Sequence, residues 1–276
     1  MTQPTVTFIG GGNMARAIYG GLLDSGFTAT NLSVVDPSAA AQDNARQAGI
    51  AQVFDSARDE MLSANLIVLA IKPQITKAAL QPLAGRLGSN SLVLSIVAGI
   101  NADSLAALLG LSDAGCIIRC MPNTPALVGE GMTGLYANKE SGSAEAKVLA
   151  ERVMSSVGQC IWVESESDLD VITAISGSGP AYFFLFIESL TDAAIALGMD
   201  SESARKLALQ TALGASRLAS LSSEDAATLR KNVTSPGGTT EQAIQAFEAS
   251  DIRGIVVQAT QAAARRSLEL SKEFGV

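Results

Sequence analysis

Short, nearly continuous apolar runs alternate with longer amphipathic stretches through the first 164 residues, and this rhythm predicts strands set between helices. The runs are Val6–Ile9, Leu32–Val35, Leu66–Ala70, Leu92–Ile96, Cys116–Met121 and Thr133–Ala137. A further strand at Cys160–Val163 follows a helix from Glu145 to Val157. Leu66-Ile67-Val68-Leu69-Ala70 and Leu92-Val93-Leu94-Ser95-Ile96 carry almost no polar residue. A strand that is apolar on both sides belongs in a parallel sheet covered on both faces. The alternation therefore predicts an α/β fold, with a Rossmann-type doubly wound sheet over residues 1–164.

From Ser165 the period changes to that of helices alone: Asp168–Ile175, Ala181–Leu197, Ser201–Leu221, Glu224–Asn232, Thr240–Ala249 and Asp251–Phe274. Residues 165–276 are thus expected to form an all-helical domain. Helices rich in Ala and Leu need partners to bury their apolar faces. So few of them hold only a thin core, which points to a homodimer built by interleaving helices.

Composition narrows the function. Hydrophobic residues make up 47% and charged ones 17%, as in a packed globular chain. The net charge of −8, shared by both halves, argues against nucleic-acid or anionic-membrane partners. The first apolar run is short and lacks a basic flank, so no secretory leader is expected. The longest candidate membrane span, Ile172 to Ile187, contains Ser176-Gly177-Ser178-Gly179-Pro180 and is expected to break there. Cys116, Cys120 and Cys160 form neither a disulfide framework nor a zinc cluster, and read as buried filler in a reduced cytoplasm. No metal site is expected. Histidine is absent, which excludes Ser-His-Asp and Cys-His mechanisms and any imidazole acid or base.

The chemistry lies in the loops. Val6–Ile9 runs into Gly10-Gly11-Gly12-Asn13-Met14-Ala15 and then a helix through Leu23, a G-x-G-x-x-A dinucleotide fingerprint. Gly10 serves the tight turn, Gly12 the approach of the pyrophosphate, and Ala15 the packing of helix on strand. Asp36, about 20 residues further on, suits a ribose 2′-hydroxyl and points to NADH, while nearby Ser33 and Ser38 can meet a 2′-phosphate and keep NADPH open. As a helix cap before Pro37 it reads equally well. Two more strand-end loops, Ala70-Ile71-Lys72-Pro73-Gln74 and Ser95-Ile96-Val97-Ala98-Gly99, fall where ligands bind such sheets, and Lys72 is either a cofactor contact or a solvated lysine. Near the other end, Asn232-Val233-Thr234-Ser235-Pro236-Gly237-Gly238-Thr239-Thr240 interrupts helical sequence. Gly237 and Gly238 admit close backbone approach, and amides near Gly238 to Thr240 would open the next helix.

Two further motifs, Arg119-Cys120-Met121-Pro122-Asn123-Thr124-Pro125-Ala126 and Ser176-Gly177-Ser178-Gly179-Pro180-Ala181-Tyr182, complete a pattern. With the Gly motif and Ser235-Pro236-Gly237-Gly238-Thr239-Thr240 they make the whole chain resemble the pyrroline-5-carboxylate reductase family. That resemblance implies reduction of Δ1-pyrroline-5-carboxylate to L-proline with NADPH or NADH. It also implies a Rossmann domain followed by a helical domain that interlocks in a homodimer, often built into decamers. By resemblance Thr240 meets the ring nitrogen, and Gly237, Gly238 and Thr239 belong to the loop whose amides hold the carboxylate. Glu166 stands beside the substrate. Ala70, Lys72, Pro73, Asn123 and Asn232 stand with the cofactor contacts. Ser223-Glu224-Asp225-Ala226-Ala227 departs from the Glu-x-His-Pro-like segment of many members.

The reaction suits these residues. A cyclic imine needs hydride at its C=N carbon and a proton on nitrogen, and it can arrive protonated, so a chain without histidine can serve. A β-hydroxyacid dehydrogenase would need a catalytic lysine on the helix opening the second domain, and Ala181 to Leu197 has none. A non-catalytic NAD(P)-binding regulator would show a damaged 236–240 loop, which is intact here.

Overall fold

The structure is a computed structural model that describes residues 3–112, 117–137 and 143–274. Its first elements are β1 (Val6–Ile9), α1 (Asn13–Asp24), β2 (Leu32–Val35), α2 (Ala39–Gln47), β3 (Gln52–Phe54), α3 (Asp59–Leu62) and β4 (Leu66–Leu69). Then come α4 (Thr76–Leu80), β5 (Leu92–Ser95), α5 (Ala102–Leu109), β6 (Ile117–Met121), β7 (Gly131–Ala137), α6 (Ala144–Met154) and β8 (Gly158–Trp162). The rest is helical: α7 (Asp168–Ile172), α8 (Gly179–Ala196), α9 (Ser201–Leu221), α10 (Ala226–Asn232), α11 (Thr239–Ala249) and α12 (Ile252–Phe274).

The strands join one sheet in the order β3-β2-β1-β4-β5-β6-β7-β8. Pairing is parallel throughout except between β6 and β7. Because Cβ directions alternate along a strand, Leu66 and Val68 enter one core layer and Ile67 and Leu69 the other. The first layer holds Ile18, Tyr19 and Leu22 of α1; the second holds Leu80, Leu105 and Leu109. Strand order reverses at β1, so the crevice at its carboxyl end is the place where open α/β sheets bind ligands.

Three differences from the sequence expectation have physical causes. β3 lay outside the predicted strands because it is a three-residue edge strand opening on polar, exposed Gln52. β7 and β8 begin earlier than expected, at Gly131 and Gly158, which face each other in register. Gly158 has φ +147°, and a Cβ there would collide with the Gly131 backbone, so only glycines let these strand ends approach. The Cys116 end of the expected sixth strand lies outside the described residues.

The Ser176–Pro180 segment does not break the helical run. A π turn over Thr173–Gly177, with the Ser178 amide bonded to the Thr173 carbonyl at 2.8 Å, carries α7 into α8, and Pro180 falls in the first turn of α8, where its missing N–H is tolerated. The run Asp168–Ala196 spans 29 residues and holds an 18-residue stretch of mean hydropathy 1.3, long and apolar enough by length and composition to cross a membrane, contrary to the sequence expectation.

By packing, the chain forms two compact units: residues 1–178 with 263–276, and residues 179–262. The change of pattern at 164/165 is not where packing divides it. Residues 165–178 belong to the sheet unit, where Leu169 is buried and Ser267 donates to Asp170 at 2.6 Å. Phe274 packs against the second core layer. In the helical unit α8 packs on α9, and Phe186 meets Phe247 at 6.1 Å between ring centroids. Among the described residues of that unit, the buried hydrophobic side chains are Ala204 and Ala208, while Phe183, Phe184 and Leu185 are each more than 60% exposed.

Candidate active site

The Gly-rich turn leaves β1 at the switch point. Gly10 has φ +100°, its amide donates to the Val35 carbonyl at 2.8 Å, and a Cβ there would strike the Ala70 carbonyl. Gly10 is therefore required by the turn itself. Gly12 is different: a Cβ at that position would meet nothing within 4 Å, and the residue is exposed. It is the N-cap of α1, whose ladder starts at the Arg16 amide bonding to the Gly12 carbonyl. The amides of Asn13, Met14 and Ala15 have no acceptor among the described residues, and Ala15 is buried against the sheet. An open backbone cradle at a helix N-terminus fits a dinucleotide pyrophosphate.

Asp36 grips this turn. One carboxylate oxygen accepts from the Gly11 amide at 2.7 Å and the other from the Ser38 amide at 2.8 Å, while its own carbonyl accepts from Gln42. Its carboxylate is thus already tied to backbone and fixes a negative charge beside the Gly motif. Arg46, the nearest cation in the sequence, is paired with Asp43 and Gln42. Along the same sheet edge, the Ala70 amide bonds to the Ile9 carbonyl, Pro73 opens a 3-10 turn, and the exposed Lys72 ammonium has no ion-pair partner among the described residues. Ala98 is half-buried, whereas Gly99, at φ +73°, presses on the Leu270 backbone, where a Cβ would stand at 3.3 Å. Gly99 is thus held by packing of the chain's last helix.

Asn123 and Glu166 also have structural partners that the sequence does not reveal. Asn123 is 9% exposed, and its side chain bonds to Met132 and Ser176. Glu166 accepts from Arg119 at 2.9 Å and from the Ala102 amide at 2.8 Å, so it caps α5 and neutralises a guanidinium only 12% exposed. Tyr136 lies opposite Arg119 in the β6–β7 register. Its phenol is pushed up first by burial and then by the Glu166 and Asp103 carboxylates, against the pull of Arg119. Glu166 belongs to the sheet unit and the 236–240 loop to the helical unit.

In the helical unit, Gly238 is the N-cap of α11. The sequence offers Gly237 and Gly238 as amide donors, but both amides have partners: Gly237, at φ +73°, donates to Glu241 at 2.7 Å and Gly238 to the Ser235 carbonyl at 3.0 Å. The glycines shape the turn, and the amides of Thr239, Thr240 and Glu241 have no acceptor among the described residues. The half-buried Thr240 hydroxyl likewise has no partner among them. At the preceding helix end, Asn232 donates to Glu224 at 3.0 Å, which gives Glu224 a local role that its altered motif left open.

A doubly wound sheet with an open glycine cradle at its switch point, followed by an all-helical unit, defines a Rossmann-type dinucleotide-dependent oxidoreductase architecture. Two family models match: "NADP oxidoreductase coenzyme F420-dependent" over residues 5–99 and "Pyrroline-5-carboxylate reductase dimerisation" over residues 166–270. The pyrroline-5-carboxylate reductase of Pseudomonas aeruginosa is 44% identical over 277 residues, covering 100% of both chains. The solved reductase of Coxiella burnetii superposes with a TM-score of 0.91 at 41% identity, over 98% of this chain and 99% of that one. The Plasmodium falciparum reductase with NADP bound gives 0.84 at 32% identity, over 98% and 99%. This chain belongs to the pyrroline-5-carboxylate reductase family.

Proposed function

We propose that this chain reduces L-1-pyrroline-5-carboxylate to L-proline, an oxidoreductase step on a CH–NH bond that completes proline biosynthesis. Carrying this reading is full-length identity of 44% to a reductase of that name, together with intact glycine and Thr240 loops. NAD(P)H, when bound, supplies the hydride. The Asn13–Ala15 amides would hold its pyrophosphate, with Lys72 at the same edge. The Thr239 and Thr240 amides receive the substrate carboxylate, and the Thr240 hydroxyl orients the ring nitrogen. The imine arrives already protonated on nitrogen, so the hydride completes the reduction without a side-chain acid, and the chain's contribution is positioning. NAD(P)H oxidation on adding pyrroline-5-carboxylate tests the reading; no turnover with either cofactor overturns it.

Asp36 biases the cofactor choice toward NADH, because its fixed charge stands where a 2′-phosphate would need a cation. Asp36→Ser should raise the NADPH-to-NADH ratio of kcat/KM about tenfold, on the order of the 1.4 kcal/mol of one like-charge contact. An unchanged ratio in steady-state kinetics rejects this role.

The working form is a homodimer, because a helical unit that buries two alanines and exposes Phe183, Phe184 and Leu185 needs a second copy to cover them. Residues 165–276 act as the substrate-binding and dimerisation region. Replacing Phe183 and Phe184 together by Asp should give monomers in light scattering and lower helicity; a retained dimer refutes this use of the face. The same measurement reads any assembly into a decamer. Free thiols at Cys120 and Cys160 suit the cytoplasm.

A further inference from the structure

Asn123 uses its amide at both ends. Oδ1 accepts from the Met132 amide, at the start of β7, at 2.8 Å, and Nδ2 donates to the Ser176 carbonyl at 3.0 Å. One partner is a donor and the other an acceptor, so only this orientation of the amide satisfies both. Ser176 lies in the π turn that leads into α8. In α-helical register its carbonyl would accept from the N–H of residue 180, and residue 180 is a proline without one.

The surroundings hold this junction closely. A Cβ on Gly177 would meet the Met121 side chain at 2.8 Å, and one on Gly134 would meet Ile172 at 2.8 Å. On its other side Asn123 is the N-cap of the 3-10 turn Thr124–Val128, which packs on α1, the helix that carries the glycine motif. We propose that Asn123 is a positioning residue: its amide replaces the donor that Pro180 lacks and holds the π turn Thr173–Gly177 in place. Its part in catalysis is exerted through the π turn, without contact to the dinucleotide. The activity readouts below rest on the reductase reading, and the stability readouts do not.

The test is a double-mutant cycle between positions 123 and 180. Asn123→Ala should lower kcat about tenfold and reduce Tm, with the NAD(P)H Kd within twofold of wild type. Pro180→Ala alone should stay near wild type. In the double variant the new N–H at position 180 meets the Ser176 carbonyl, and more than half of both losses should be recovered. Asn123→Asp keeps the acceptor for Met132 but turns a carboxylate oxygen on the carbonyl, so it should fall with the alanine variant. Additive losses in the double variant overturn the proposal, as does a tenfold weaker cofactor Kd in Asn123→Ala at unchanged Tm. Should Asn123→Ala fail to fold, a folded double variant supports the proposal and an unfolded one overturns it. If wild type shows no turnover, the reductase reading fails while coupling in Tm still decides this one.

Discussion

A Gly12→Asp variant should fold at least as well as wild type and lose its cofactor. Gly12 is the N-cap of α1 at φ −69°, ψ −175°, a conformation open to any residue, and no atom stands within 4 Å of an added Cβ. Aspartate is a better cap than glycine by a few tenths of a kcal/mol, so Tm should hold or rise slightly, by about 1 °C. The same side chain fills the cradle over the Asn13–Ala15 amides and places a carboxylate against a pyrophosphate. NAD(P)H affinity should fall more than about 100-fold, or roughly 2.7 kcal/mol. Gly10→Ala is the contrast, because its Cβ meets the Ala70 carbonyl at φ +100° and stability itself must fall. Calorimetry and fluorescence titration separate the two; Gly12→Asp with full cofactor affinity removes the pyrophosphate from this turn.

Thr240→Ala should lower kcat/KM about 10- to 100-fold with NAD(P)H binding intact. The side chain is half-buried in the first turn of α11, and its hydroxyl and amide have no acceptor or donor among the described residues. One hydrogen bond to a charged ring nitrogen contributes about 1.5–3 kcal/mol, and alanine leaves the amide in place for the carboxylate. Thr240→Ser should recover most of the activity. Wild-type steady-state turnover in the alanine variant would remove Thr240 from the reaction.

Much of this was readable from one dimension. Apolar runs at Val6–Ile9, Leu66–Leu69 and Leu92–Ser95 are strands because a residue buried on either face leaves a continuous apolar word. The glycine motif was legible because its spacing between a strand and a helix is itself the dinucleotide fingerprint. β3 and the Gly131 and Gly158 strand ends were not, since their pairing depends on a strand distant in sequence. The partners of Asp36, Asn123, Glu166 and Gly237 were equally hidden. A polar side chain in a loop reads as a ligand contact until the fold shows which backbone group it meets.

By itself the sequence determined the alternation of strands and helices, the dinucleotide fingerprint, the Thr240 loop and the absence of histidine chemistry. These follow from local rules of periodicity, backbone freedom and side-chain type. Tertiary structure alone decided that a Cβ at position 10 would strike the Ala70 carbonyl while one at position 12 would meet nothing within 4 Å. It also decided that helix runs on through Pro180, and that residues 263–274 return to the sheet unit. Each of these depends on contacts between residues far apart in the chain, where close packing and the pairing of buried polar groups choose among conformations that local sequence leaves equal.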